Sequence, residues 1–190
     1  MKHNEEMNEW CRQLEHLHLP RWNELPELDL YMDQVVTLIE RYLGLFFADK
    51  QEKMLTKSMV NNYVKLQLIP APVKKQYSRR HVALLIAITI LKQIVTIKEV
   101  KEGINNLARV HGEKWAYNYF CEEMENALKQ VLRQARGEVS DAKSNAIPFE
   151  ELPLKLATHA VACKIVVEKT VQIQSLETRN QEMNAWSKQR

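Results

Sequence analysis

Apolar residues along this chain recur at intervals of three and four, the spacing that lines one face of a helix. Between residues 30 and 43, Met32, Val35, Val36, Leu38, Ile39, Tyr42 and Leu43 form such a stripe, and Gly44 is placed to end it. Thr56 or Ser58 can cap a short helix with Met59, Val60, Tyr63 and Val64 inward, which Pro70 and Pro72 forbid from continuing. A short basic hairpin or loop over 70–77 follows, with Lys74 and Lys75 at its tip. Ser78 then caps a long apolar helix ending near Ile94, and Thr96 with Glu99 makes a capping box for another. Ala116, Phe120, Met124, Leu128 and Leu132 mark a long amphipathic helix within 104–136, either continuous or broken at Gly112. Residues 137–148 have loop composition, including Ser140, Asp141, Lys143, Ser144 and Asn145. A final helix from Glu150 or Leu152 to about Leu176 is apolar on two sides: Leu156, Ala160, Cys163, Val167 and Val171 on one, Ala157, Val161 and Ile165 on the other. It is expected to pack between partners, and the last dozen residues read as frayed.

With only four Gly and six Pro in 190 residues, composition agrees with an all-α or α-rich fold. The chain divides into an N-terminal arm over 1–29, read as a loose arm or an extra helix, a middle domain over 30–103 and a helical region over 104–190. The most apolar run, Val82 to Leu91, is too short for a membrane span and is interrupted by Lys92, so it reads as a buried helix. Cys11, Cys121 and Cys163 lie far apart with no CxxC, and the acidic N-terminus lacks the order of a signal peptide, so a reducing, cytoplasmic setting is expected.

Charge changes the picture. The formal net charge is only +3, yet residues 50–101 hold eleven Lys or Arg against two Glu. Asp49 and Glu102 flank this window. A basic middle between acidic flanks is the footprint of a phosphate-binding face. Residues 56–66 suit the major groove of DNA: Lys57, Ser58, Asn61, Asn62 and Lys65 face outward, Asn can pair with adenine, and Lys can take guanine or phosphate. Lys74, Lys75, Arg79, Arg80 and His81 add cations nearby, the last three at a helix N-terminus that favours phosphate.

The segment resembles the MerR-type winged helix-turn-helix, found also in a family of Gram-positive bacterial proteins defined by a domain of unknown function; this second resemblance extends over much of 19–105. Tyr63 stands at the second position of that pattern's tyrosine doublet, and Leu68, Ile69 and Pro70 at its turn. Lys75 stands at the wing arginine, Tyr77 and Ser78 at the entry to the next helix, and Ile97, Glu99 and Val100 at a Leu-x-Glu-Ile element. The chain departs from the pattern at Asn61, where Arg is preferred, at Asn62, which replaces the first tyrosine, and at Gln67, which replaces a turn glycine. The resemblance implies a DNA-binding transcription regulator with Asn61, Lys65, Lys75, Tyr77 and Arg79 on double-stranded DNA. It further implies a homodimer formed through helices after the wing, for which Phe120, Met124, Leu128 and Leu132 offer a surface.

Other chemistry is thin. No P-loop, GxGxxG, GxSxG or HExxH occurs, so an enzyme is not expected. His159 and Cys163 share a helix face, with Cys121 or His111 conceivable as further ligands, but a buried thiol and a satisfied histidine are commoner, and no metal or cofactor is expected. Trp10, Trp22 and Trp186 read as packing anchors, while Trp115 could line an effector pocket. The alternative reading is an adaptor that binds a partner helix through the C-terminal helices.

Overall fold

A computed structural model describes residues 2–46, 53–138 and 147–187. The start of the basic window at Lys50 and the loop residues Ser140, Asp141, Lys143, Ser144 and Asn145 lie outside the described residues, as does the Trp186 side chain. Among the described residues the fold is all-α, with seven helices and one two-stranded sheet. The helices are α1 (Lys2–Glu15), α2 (Met32–Leu43), α3 (Lys57–Lys65), α4 (Arg79–Leu91), α5 (Ile97–His111), α6 (Glu113–Ala135) and α7 (Leu152–Ser187). Strand β1 (Leu30–Tyr31) pairs antiparallel with β2 (Gln76–Tyr77), Leu30 opposite Tyr77 and Tyr31 opposite Gln76.

Helix α4 is the pivot. Of its thirteen residues, all from His81 to Leu91 except Leu84 are buried, because α2, α5, α6, α7 and β2 all pack around it. An apolar sequence with no polar stripe is what such surroundings require. A single hydrophobic cluster runs from Cys11 on α1 to Val166 on α7, so the N-terminal, middle and C-terminal segments share one core.

The N-terminal segment is an extra helix, α1, packed on α6. After it the chain is strapped down by Glu125 of α6, a nearly buried carboxylate. Its Oε1 accepts from the Leu19 backbone N–H at 2.8 Å, and Arg21 grips both oxygens at 2.6 and 2.7 Å. Burial alone would raise the Glu125 pKa; the Arg21 guanidinium and the Leu19 N–H reverse this and hold it below the usual carboxylate value. Arg136 ties the other end of α6 to Glu15.

The break at Gly112 is real: its φ of 85° lies where only glycine sits without strain, and it separates α5 from α6. The helix begun by the Thr96–Glu99 box continues to His111, so residues 104–111, read from the sequence with the following helix, belong to this one. Gly44 does not turn the chain leftward; it stays right-handed and leads into a 3-10 turn over Gly44–Phe46. Helix α7 runs to Ser187, past the expected end at Leu176, because no Gly or Pro interrupts residues 177–187.

One expectation is overturned. Phe120, Met124, Leu128 and Leu132 are at most 3% exposed, because α6 turns this face into the chain's own core, packed chiefly by α7 and also touched by α1, α4 and α5. The stripe is therefore interior and offers no surface to a second copy.

Candidate functional site

Helix α3 is held by caps at both ends and by a lysine beneath it. Thr56 Oγ1 accepts from the Met59 backbone N–H at 3.2 Å, closing the N-terminus. At the other end the Leu68 N–H donates to Tyr63 O and the Gln67 N–H to Val64 O, both at 2.9 Å, the paired bonds of a Schellman turn. Gln67 occupies the left-handed position of that turn, with φ 54°, where glycine is usual. Val60 and Tyr63 are buried, with Met59 and Val64 partly so. Beneath them the half-buried Lys92 Nζ donates to Met54 O at 3.1 Å and to the Tyr63 hydroxyl at 3.2 Å. Desolvation lowers the Lys92 pKa from its ordinary value.

With that face inward, Lys57, Ser58, Asn61, Asn62 and Lys65 are all exposed, as the sequence predicts. Lys57 forms a surface ion pair with Asp33 on the first turn of α2. The segment from Pro70 to Tyr77 is a tight two-residue hairpin: the Val73 N–H donates to Gln76 O at 3.2 Å and the Gln76 N–H to Val73 O at 2.8 Å. Lys74 and Lys75 form its tip with φ of 49° and 64°, the two left-handed residues of a primed turn that asparagine and glycine normally occupy. Among the described residues, the non-glycine positions with positive φ are Gln67, Lys74 and Lys75 alone, so all of this strain falls within nine residues.

Several other candidates are placed differently. Tyr77 is 3% exposed, and its ring stands edge-on to His81 at 5.3 Å, so packing against α4 removes it from any DNA-contacting surface. His81 is buried and is not a surface cation. Its Nδ1 accepts from the Ser78 N–H at 3.0 Å and from the Ser78 hydroxyl at 2.9 Å, and its Nε2 donates to Pro70 O at 3.2 Å. A neutral ring satisfies all these bonds, and desolvation lowers its pKa accordingly. The ring thus pins the hairpin base to the start of α4.

Arg79 is mostly covered and pairs with Glu27 at 3.3 Å; Arg80 pairs with Glu113, the first residue of α6, at 2.5 Å. These two arginines are engaged by acidic partners instead of standing open beside α3. The exposed candidates are therefore Lys57, Ser58, Asn61, Asn62 and Lys65 on α3 and Lys74 and Lys75 on the hairpin, with Arg80 exposed but paired to Glu113.

Trp115 stacks between His111 and Tyr119, with ring centroids 4.0 and 4.7 Å away. No group of three or more His, Cys, Asp or Glu side chains suited to a metal occurs among the described residues, and burial pushes the Cys121 thiol up to about 12. Among the described residues no helix is long and apolar enough to cross a membrane.

Sequence reasoning missed the amine of Lys92 under α3 and the Arg21–Glu125 strap. Lys92 had a visible signal, a lone charge ending an apolar run. The strap joins residues 104 positions apart and had none.

One family model, Domain of unknown function (DUF1836), matches residues 20–123. That span runs from Pro20, beside Arg21, through the first half of α6, and leaves α1, α7 and Glu125 outside. No curated protein and no solved structure matches the chain.

Proposed function

The chain belongs to the DUF1836 family, whose function is unassigned, and from that premise we propose that it is a sequence-specific DNA-binding transcription regulator, working as a homodimer on double-stranded DNA in the cytoplasm. The observation that carries this reading is the pairing of a capped short helix, polar along its outer face, with a strained hairpin that holds two lysines out at its tip. In this reading α3 enters the major groove, where Asn61 and Asn62 read base edges. Lys65, Lys74 and Lys75 neutralise phosphates. In this reading the order of helix, reading helix, hairpin and helix is taken as the counterpart of a MerR-like winged helix-turn-helix. No catalytic step and no cofactor enters this function.

The homodimer of this reading uses the outer face of α7 and not α6. Leu156, Val167 and Val171 are 61%, 60% and 53% exposed at helical spacing, while Val161, Ala162, Ile165 and Val166 face the core. A helix apolar on both sides is thereby partnered on one side only. The same stripe favours a second reading, an adaptor that binds another protein's helix.

Selection of bound duplexes from a random DNA pool at two salt concentrations tests the proposal. An enriched inverted repeat, with affinity falling steeply as salt rises, is expected; Lys65→Glu with Lys75→Glu should abolish the enrichment. No enrichment by the wild-type chain would reject DNA reading and leave the adaptor.

A further inference from the structure

A cleft of about 860 Å³ lies among α4, α5, α6 and the start of α7, with the segment from Val64 to Ala71 forming one wall. Several of the lining residues are short: Ala83 and Ala87 on α4, Gly103 on α5, Ala116 on α6 and Ala157 on α7. Gly103 is exposed at the edge of the cleft, and a Cβ there would meet no atom within 4 Å, so a larger side chain can be placed at the mouth without a clash.

The chemistry of the walls selects the occupant. Tyr117 and Phe120 line it from α6, and the Tyr117 hydroxyl already donates to Pro20 O at 2.8 Å. Arg80 and Glu113 neutralise each other, and the Glu99 carboxylate is engaged with Thr96 in the α5 cap. The other charged residues of the lining, Lys65, Arg109 and Glu150, are exposed and keep their charges in water, so the buried part of the walls is apolar and the desolvation of an ionised ligand there would oppose binding. Phe149, on the stretch leading into α7, is 85% exposed at the rim, an aromatic ring left in water beside an apolar cleft. The volume falls within the range of small-molecule sites. It is too small to enclose several turns of a helix with its side chains, about 10 Å across.

We propose that this cleft is a binding site for a small, uncharged, ring-bearing organic molecule, which packs on the half-buried Leu84, Ile104 and Leu154 and is covered at the rim by Phe149. Because one wall is the end of α3 and the approach to the hairpin, occupancy biases how these two elements sit. That regulatory consequence rests on the DNA-binding reading, whereas the site itself does not.

The test is titration of the full chain with Nile red, an uncharged fused-ring dye whose emission rises in apolar surroundings. The wild type should bind saturably at one site. Gly103→Phe, which adds a ring at the mouth of the cleft from an unobstructed position, should weaken binding about tenfold or more, a loss of about 1.4 kcal/mol. Phe149→Ala, at a side chain too exposed to matter for folding, should weaken it several-fold, and Trp115→Ala, outside the cleft, should leave it unchanged. No saturable binding to the wild type, or wild-type binding by Phe149→Ala, overturns the proposal. Should the chain fail to bind DNA while these dye results hold, the site stands and only its link to DNA falls.

Discussion

Replacing Lys74 and Lys75 by Asn and Gly separates backbone strain from charge at the hairpin tip. Both lysines hold positive φ in a turn whose geometry suits Asn-Gly. A left-handed non-glycine residue costs about 1 kcal/mol or more. Asn tolerates that region and Gly adopts it without strain, although the freer unfolded glycine takes back part of the gain. The expected net is about 1 kcal/mol of added stability, a rise of roughly 2–4 °C in Tm for a chain of this size. The same change removes two cations per protomer. If both meet phosphate, the slope of log affinity against log salt becomes shallower by about 2 per protomer. Lys74→Gln with Lys75→Gln is the control, losing the charge but keeping the strain. Thermal unfolding and salt-dependent DNA titration of the three proteins read the two effects apart. An Asn-Gly protein that melts no higher than the Gln-Gln protein would refute the strain argument, and an unchanged salt slope in both would remove the hairpin from the DNA.

Further outcomes follow from the same geometry. Arg21→Ala leaves the Glu125 carboxylate nearly buried without its guanidinium, and should destabilise the chain by about 3 kcal/mol in denaturant unfolding; a loss below about 1 kcal/mol would mean that water replaces the strap. The His81 pKa is lowered in the folded chain, so its contribution is complete above the unfolded value near 6.5 and is lost as pH falls through the lower folded value. Unfolding measured between about pH 7 and pH 5 should show that decline, and His81→Gln should flatten it. Val167→Glu with Val171→Glu places two charges on the outer face of α7 and should give a monomer in sedimentation with an unchanged far-UV spectrum; a dimer that persists puts the interface elsewhere.

What the sequence disclosed depended on whether the cause was local. The caps at Thr56, Ser78 and Thr96 are read from three or four consecutive residues, and all three occur where expected. The inward face of α3 and the break at Gly112 are equally local. The errors arise where a pattern says that a residue is apolar but not what covers it. Phe120, Met124, Leu128 and Leu132 suit a dimer seam and an internal core equally well, and only the return of α7 along α6 decides between them. Tyr77 fails in the same way, since its burial is set by α4 folding back over the sheet. Two-sided apolarity in α7 was legible, but which side meets the core was not.

The basic window shows how far a charge tally stands from a surface. Lys92 is turned under α3, Arg79 and Arg80 face Glu27 and Glu113, Lys57 faces Asp33, and Lys98 lies 3.9 Å from Glu102. Lys101 reaches the Leu66 carbonyl at the end of α3. Lys53, Lys65, Lys74 and Lys75 have no ion-pair partner among the described residues, and the last three belong to α3 and the hairpin. Three phosphate contacts per protomer give a salt slope of only about −3, which corresponds to weak binding by one copy. Two copies joined through α7 would double the number of contacts and place both reading helices on one duplex. The DNA-binding reading therefore needs the dimer more than the charge count suggested. On that reading the exposed Leu156, Val167 and Val171 stripe is the surface to test for it.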